Sequence, residues 1–454
     1  MNATIIGTGY VGLTSGVALA YLGHRVTCLD VDEAKIRELR AGKTPLYEPY
    51  LQELMALCQE NLLYTTDYAA GVPTADIIFI AVGTPSAPDG SPDLRFLRAA
   101  AEGVGKNLGE GFTVVINKST VPIGSGNWVE TLIRDAFTAA QHKRSEGRFA
   151  VASNPEFLRE GSALHDTLYP DRIVAGSDNP QALDLLYALY RPIIEQTFAA
   201  PNFLPRPEEL AAVPLITADL ASAELIKYAA NAFLALKISY INEIGQLAEK
   251  VGADVAQVAK GIGLDSRIGT RFLHAGIGWG GSCFAKDTAA LIATAREYGL
   301  SMPIVEAARA MNVVQRGRVV EKLLSELKIL KGRTIGLLGL AFKAQTDDLR
   351  DSPSLDIACQ LLERGAKVKV HDPIALQRAR IENPGLGVTF CESTREVFEE
   401  SDAVVLVTEW PEYRELAWGE LKTSMRTPLI LDGRNYLDRE ALLRTGFHYI
   451  GFGR

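Results

Sequence analysis

Cysteine is scarce in this chain. Five are spread over 454 residues, Cys28, Cys58, Cys283, Cys359 and Cys391, and no two form a C-x-x-C pair. An odd number at such wide spacing argues against a disulfide framework and against a structural zinc site, and it points to a reducing compartment. No metal is expected. No apolar run approaches the ~18 residues of a membrane-spanning helix. The N-terminus enters a strand at once through Thr4-Ile5-Ile6, which leaves no room for a signal peptide. These absences predict a cytoplasmic protein with no membrane partner. Basic clusters are missing too: 47 Lys and Arg stand against 55 Asp and Glu, a formal charge of −8. Without a basic stripe a nucleic-acid partner is not expected, and an anionic ligand must be held by local charges rather than by the overall field.

What is present is ordinary globular composition, with 47% hydrophobic and 22% charged residues, enough for more than one core. Short apolar runs recur at Ala3–Ile6, Arg25–Asp30, Ile77–Val82, Val114–Asn117, Ala150–Ser153 and Ile173–Ala175, separated by helix-length stretches. That alternation is the mark of βαβ units and a parallel, doubly wound sheet. Pro201, Pro205, Pro207 and Pro214 follow and read as a linker or surface loop. A long helix is expected from about Asp219 to Val251, because Ile226, Ala230, Phe233, Ile241, Ile244 and Leu247 fall among its apolar positions. A second should span Ile304–Leu327. Strand–helix alternation resumes at Thr334–Leu340, Lys367–His371, Ala403–Thr408 and Leu429–Asp432. The expected architecture is α/β: two Rossmann-like doubly wound parallel-sheet domains, at 1–200 and 329–454, joined by a central helical region at 201–328. A cleft between such domains is the usual place for a two-substrate site.

Gly7-Thr8-Gly9-Tyr10-Val11-Gly12 follows the first strand and opens a helix. In this motif Gly7 permits the tight turn, Gly9 lets the backbone approach a pyrophosphate, and Gly12 allows helix to pack close on strand. The helix N-terminus offers its N–H groups to the phosphates. Asp30 ends the second strand, where a carboxylate binds the ribose diol and repels a 2′-phosphate; the cofactor is therefore NAD rather than NADP. A bare turn of the same composition is the bland alternative, and the strand–turn–helix context weighs against it. Near the C-terminus Gly336 and Gly339 are present, but Leu340-Ala341-Phe342-Lys343 replaces the close-approach turn. That argues for a different nucleotide, with Lys343 meeting phosphate as a point charge.

A second constellation lies between the two long helices. Gly276-Ile277-Gly278-Trp279-Gly280-Gly281 leads into Ser282-Cys283-Phe284-Ala285-Lys286-Asp287, with a helical pattern expected from about Asp287. A cysteine at a helix N-terminus has a lowered pKa and is nucleophilic. Most cysteines are small buried hydrophobes, and Cys28, Cys58 and Cys359 are read that way, with Cys391 inert. Lys227 and Asn231 lie four apart on one face of the long helix. A lysine is commonly a solvated surface group, but this one sits among Leu225, Ile226, Ala229 and Ala230, where burial demands a partner. Asn154-Pro155-Glu156-Phe157-Leu158-Arg159-Glu160 sets two acids at the same spacing, which solvated surface residues would also do.

Together GTGYVG, VGTP, KSTVPIGS, NPEFLREG, AELIKYAANAFLALKISYINE and GGSCFAKD resemble the UDP-glucose 6-dehydrogenase family, within the wider UDP-glucose/GDP-mannose dehydrogenases. The resemblance runs from residue 1 to Asp432-Gly433-Arg434. It implies oxidation of the sugar C6 alcohol to a carboxylate through a Cys283 thioester. Lys227 and Asn231 would stabilise an oxyanion, Thr120 and Asp287 would position a water, and Glu156 would act as general base. For the cofactor it adds Lys35, Thr84, Thr120, Glu160, Lys286 and Arg350 to Gly7–Gly12 and Asp30. For a UDP-sugar such as UDP-glucose it implies Glu156, Phe157, Leu158, Lys227, Asn231, Gly280, Phe342, Lys343 and Arg434, with Arg267 donated by a neighbouring subunit of a homodimer or higher oligomer. Three departures stand out: Ala285 where the family has proline, Tyr50 where it has glycine, and the Pro-rich insert near 199–214. Enzymes acting on GDP-mannose or a UDP-N-acetylhexosamine are the near alternatives. A non-catalytic nucleotide-sugar sensor is the alternative of another class, and it would have no need of Cys283, Lys227, Asn231, Glu156 and Asp287 together.

Overall fold

The computed structural model describes residues 1–85, 87 and 90–454. Among these the chain divides into two compact units, Met1–Ala230 with Ala289–Tyr298, and Asn231–Thr288 with Gly299–Arg454.

In the first unit the strands are β1 (Asn2–Ile6), β2 (Arg25–Leu29), β3 (Leu62–Thr65), β4 (Ile77–Ile80), β5 (Thr113–Asn117), β6 (Phe149–Ser153), β7 (Ile173–Gly176) and β8 (Leu215–Ala218). They form one sheet in the order β3-β2-β1-β4-β5-β6-β7-β8, with neighbours parallel except at a single antiparallel bridge, Ser153 to Gly176. The departure from an all-parallel sheet falls where two short strands, β7 and β8, are appended beyond β6. Every side chain of β4 is buried: Ile77 and Phe79 face one core and Ile78 and Ile80 the other. Helix α1 (Tyr10–Tyr21) contributes Leu13 and Val17 to the first of these cores; α2 (Ser125–Gln141) contributes Val129, Ile133 and Phe137 to the second. A strand that alternates between two covered faces must be apolar throughout, which is why these runs were legible. Each fully buried Ile or Phe contributes roughly 1.5–3 kcal/mol.

The Pro-rich stretch is a surface loop, as expected, and it is tied to the unit by side-chain bonds. Arg206 donates to Gln196 Oε1 and the Phe198 carbonyl, Tyr169 Oη donates to the Leu204 carbonyl, and the segment feeds β8 at the sheet edge. Two of the sequence departures meet here. Tyr50 adopts φ 64°, a left-handed conformation costing a non-glycine residue roughly 1–2 kcal/mol. Its ring stacks on Phe203 of the insert, with centroids 5.4 Å apart, a contact that glycine could not make. The insert and the tyrosine thus compensate one another.

The second unit holds β9 (Thr334–Leu338), β10 (Lys367–His371), β11 (Thr389–Phe390), β12 (Ala403–Leu406), β13 (Leu429–Asp432) and β14 (His448–Ile450), all parallel, in the order β11-β10-β9-β12-β13-β14. A long helix α3 (Leu220–Val251) carries the chain from the first unit to the second. Helix α4 (Ser282–Glu297) begins at Ser282, earlier than the apolar pattern implied, and α5 (Pro303–Leu327) follows. No helix among the described residues is long and apolar enough to cross a membrane. Cys28, Cys58 and Cys391 are buried, whereas Cys359 is exposed and so is not the packing residue expected.

Candidate active site

The first unit builds a dinucleotide cradle. Gly7 has φ +100°, and a Cβ there would strike the Ala81 carbonyl; a Cβ on Gly12 would strike the Gly7 carbonyl. Gly9 has open space around its Cβ position and caps α1 with no side-chain bond. The glycines that must be bare for packing are packed, and the one that must leave room leaves room, so this turn fits a pyrophosphate. Tyr10 and Val11 open α1. Asp30 follows β2 and is buried; its Oδ2 accepts from Thr8 N and Thr8 Oγ1, and Oδ1 accepts from Asp32 N. Burial pushes this carboxyl up, but the Thr8 and Asp32 bonds and the Lys35 charge outweigh it and hold the group below its ordinary range. With one lone pair of Oδ1 left over, Asp30 has capacity for a ribose hydroxyl. Thr84 Oγ1 donates to the Thr120 carbonyl at 2.9 Å, tying the loop after β4 to the loop after β5. Glu160 is partly buried in the turn after β6.

The same unit holds a buried ion pair. Lys227 Nζ donates to Glu156 Oε1 at 2.8 Å, with side chains only 4% and 6% exposed. Glu156 Oε2 accepts from Leu158 N at 2.9 Å. The Phe157 ring has Lys227 Nζ 5.4 Å from its centroid and the Arg172 guanidinium at 3.7 Å. Two groups here, Lys118 and Tyr190, were given no role from sequence. Lys118 is buried and donates to Asn154 Oδ1, which also accepts from Tyr190 Oη. Burial pulls the Lys118 ammonium down to about 8, partly opposed by the Glu156 charge and reinforced by Lys227. A lysine directly after a strand with an apolar centre, Val114-Val115-Ile116, was the signal available.

Glu224, on α3, accepts from Gly124 N and Gly126 N at 2.6 and 2.9 Å and so caps the N-terminus of α2. Burial raises its carboxyl to about 7 despite those bonds. Its folded pKa therefore lies above the unfolded value of about 4.3, and its contribution to stability is complete below that value and lost as pH rises through about 7. We expect the stability advantage of the parent over Glu224→Gln to shrink by an amount on the order of 3 kcal/mol between pH 4 and pH 8. Urea melts of both proteins at the two pH values measure it, and an advantage independent of pH would contradict the assignment.

The second unit supplies the thiol. Cys283 is the second residue of α4 and is half-buried. Asp287, one turn later on the same face, is fully buried; its Oδ2 accepts from Asn231 Nδ2 and its Oδ1 from Lys286 Nζ, both at 2.6 Å. The glycine-rich segment before it is explained by close approaches. A Cβ on Gly276 would strike the Gly433 carbonyl, on Gly278 the Asn312 side chain, on Gly280 the Asp351 carbonyl, and on Gly281 the Phe342 ring. Trp279 N donates to Asn312 Oδ1, and Asn312 Nδ2 donates back to the Trp279 carbonyl. Ala285, where the family has proline, offers its carbonyl to Arg309 Nη1.

Arg434 uses Nε, Nη1 and Nη2 on the carbonyls of Val407, Gly278 and Phe342, fastening the glycine segment to Phe342; the Lys343 ammonium lies 5.6 Å from the Phe342 ring centroid. Arg350 and Arg267 each grip a nearby aspartate through two nitrogens, Asp348 and Asp265, and Arg267 is fully exposed. Asp372 occupies in this sheet the place Asp30 holds in the first. Its two oxygens already take Leu340 N, Ala341 N, Trp410 Nε1, Ile374 N and Ala375 N. No capacity remains for a ribose, which gives the missing second fingerprint a physical basis. Among the described residues no group of His, Cys, Asp and Glu is arranged to hold a metal ion.

Residues 1–194 match the NAD binding domain of the UDP-glucose/GDP-mannose dehydrogenase family, 221–313 its central domain and 336–439 its UDP binding domain. The chain belongs to this family. Similar curated members of the UDP-glucose/GDP-mannose dehydrogenases are the UDP-glucose 6-dehydrogenase TuaD of Bacillus subtilis (strain 168), 45% identical over 99% of this chain and 92% of that protein, and the UDP-glucose 6-dehydrogenase of Rhizobium meliloti (strain 1021), 44% identical over the whole of both. Among solved structures, a UDP-glucose dehydrogenase from the hyperthermophilic archaeon Pyrobaculum islandicum is 39% identical, covers 99% of this chain and 96% of its own, and has a TM-score of 0.87. A family member described as a UDP-D-ManNAc dehydrogenase from Pyrococcus horikoshii is 26% identical over 100% of this chain and 99% of its own, with a TM-score of 0.82. Membership makes the chain an NAD-dependent oxidoreductase.

Proposed function

We propose that this enzyme oxidises UDP-glucose to UDP-glucuronate in the cytoplasm, and that Cys283 carries the sugar between its two oxidations. The observation that carries the reading is the half-buried thiol in the first turn of α4, with buried Asp287 one turn behind it. Taking an alcohol to a carboxylate removes four electrons, so two NAD molecules are consumed, each accepting one hydride. Gly7, Gly9, Tyr10, Val11, Gly12, Asp30, Lys35, Thr84, Thr120, Glu160, Lys286 and Arg350 would hold that cofactor. Cys283 adds to the aldehyde carbon to give a thiohemiacetal, and after the second oxidation the sugar is a thioester on sulfur. Lys227 and Asn231 stabilise negative charge on the C6 oxygen, where preorganised donors act most strongly. Thr120 and Asp287 orient a water, Glu156 takes its proton, and the carbon–sulfur bond breaks to release the carboxylate. Phe157, Leu158, Gly280, Phe342, Lys343 and Arg434 form the UDP-sugar surface.

Members of this family with 40–45% identity that are named for UDP-glucose support that sugar over GDP-mannose or a UDP-N-acetylhexosamine. The purified enzyme should reduce NAD with UDP-glucose at least ~100-fold more efficiently, in kcat/KM, than with either alternative. A buried Asp30 carboxylate should disfavour NADP by a similar factor. Comparable kcat/KM with a second sugar would overturn the substrate assignment, and comparable use of NADP the role of Asp30. We further propose a homodimer in which α3 and α5 lie at the interface, because Phe233, Tyr240, Leu247, Val251, Ile304, Val313 and Val314 are exposed on them. Light scattering that found a fully active monomer would contradict this.

A further inference from the structure

Lys118 is a full-length cation buried to 9% exposure whose hydrogen bond, at 2.9 Å, goes to a neutral acceptor, Asn154 Oδ1. An ammonium in such a place is costly unless its charge serves something. Two features say what it serves. The first is position: Lys118 leaves β5 two residues before Thr120, and Asn154 leaves β6 two residues before Glu156. The Lys118–Asn154 bond therefore clasps the turn bearing Thr120 to the turn bearing Glu156, at the carboxyl ends of adjacent parallel strands, where α/β enzymes hold their ligands. Asn154 is itself fixed on both sides, accepting from Tyr190 Oη at 2.7 Å and donating to the Val174 carbonyl at 2.6 Å. The second is charge. Three ionisable groups from different elements interact in this pocket: Lys118 from β5, Glu156 from the turn after β6, and Lys227 from α3. The phenol of Tyr190 also faces Lys118, its ring centroid 5.9 Å from the ammonium, and burial keeps that phenol neutral. Lys227 already pairs with Glu156, so a second buried cation is surplus for structure alone.

We propose that Lys118 is a positioning residue for the reaction, clasping the Thr120 and Glu156 turns together so that the water oriented by Thr120 lies within reach of Glu156. This rests on the reading of Glu156 as the base. In the step concerned, water adds to the thioester carbon, its proton passes to Glu156, and the sulfur of Cys283 departs with the electrons of the carbon–sulfur bond. Loosening the clasp separates the residue that orients the water from the one that takes its proton, and so slows thioester hydrolysis more than it weakens substrate binding.

The test is kcat and KM for the full-length enzyme with UDP-glucose and NAD, together with intact mass during turnover, for the parent, Lys118→Gln, Lys118→Met and the exposed control Lys143→Gln. Glutamine keeps a donor for Asn154 and removes the charge; methionine removes both. We expect kcat to fall by about tenfold in Lys118→Met, and by less in Lys118→Gln because the bond to Asn154 is kept. KM should stay within about twofold, and the Cys283 acyl adduct should accumulate by intact mass, most in Lys118→Met. Lys143→Gln should match the parent. A kcat of Lys118→Met within about twofold of the parent, or a lower kcat with no accumulated adduct, would overturn the proposal, because a purely structural lysine predicts no adduct. Should both variants fail to fold, Tyr190→Phe removes the hydrogen bond that fixes Asn154 from its other side and must lower kcat with the same accumulated adduct; parental kcat there overturns the proposal equally. A parent enzyme that does not reduce NAD with UDP-glucose would instead sink the functional reading on which it rests.

Discussion

Cys283→Ser is expected to lower steady-state turnover by roughly 10³-fold or more, the scale seen when a covalent nucleophile is removed. Serine keeps the shape of the side chain but lacks an accessible anion, and a helix N-terminus favours thiolate over thiol. The NAD cradle and the surface around Phe342 are built from other segments, so binding of both ligands should survive. Mass spectrometry should then find a stalled covalent or tightly held sugar. Cys58→Ser and Cys359→Ser should stay within a few-fold of the parent: burial pushes the Cys58 thiol up to about 12 and its Sγ donates to the Leu54 carbonyl, while Cys359 is simply exposed. Near-parental turnover in Cys283→Ser with loss in Cys58→Ser would place the nucleophile elsewhere.

The second large effect is expected from Lys227→Met, and it should appear in two measurements at once. Methionine fills the aliphatic volume but leaves Glu156, 6% exposed, without the ammonium 2.8 Å away. Breaking one side of a buried pair costs roughly 3–5 kcal/mol. Some of that cost should be relieved here, because Lys118 still bears on Glu156, so a loss of about 3 kcal/mol in urea unfolding is expected. Removal of one donor to a developing oxyanion lowers kcat by roughly 10²–10³. A variant that lost stability but kept kcat within about threefold would make Lys227 a structural partner of Glu156 and nothing more.

Much of the fold could be read from sequence where a residue type has one physical use. Apolar runs such as Ile77–Ile80 must be strands with both faces covered, and Gly7 and Gly12 are dictated by collisions that a Cβ would cause. Elements with weak local signals were lost: β8 is an edge strand with no fully buried residue, and β11 spans two residues. The start of α4 was placed too late because Ser282-Cys283-Phe284-Ala285 carries no apolar stripe of its own. In the site, Cys283 and Lys227 announced themselves by context, but Lys118 and Glu224 did not. Their importance lies in burial against partners 36 and 98 or more positions away, which no local pattern encodes. The anchoring of the Pro-rich loop was hidden for the same reason, since Phe203 stacks on Tyr50, far away in sequence.

The central claim is that one thiol carries the sugar through both oxidations, and counting products tests it directly. NADH formed and UDP-glucose consumed should be measured together in a single reaction run to completion with excess NAD. The thioester account predicts two NADH for each UDP-glucose, with UDP-glucuronate as the product. One NADH for each sugar, with free aldehyde as the main product, would contradict it.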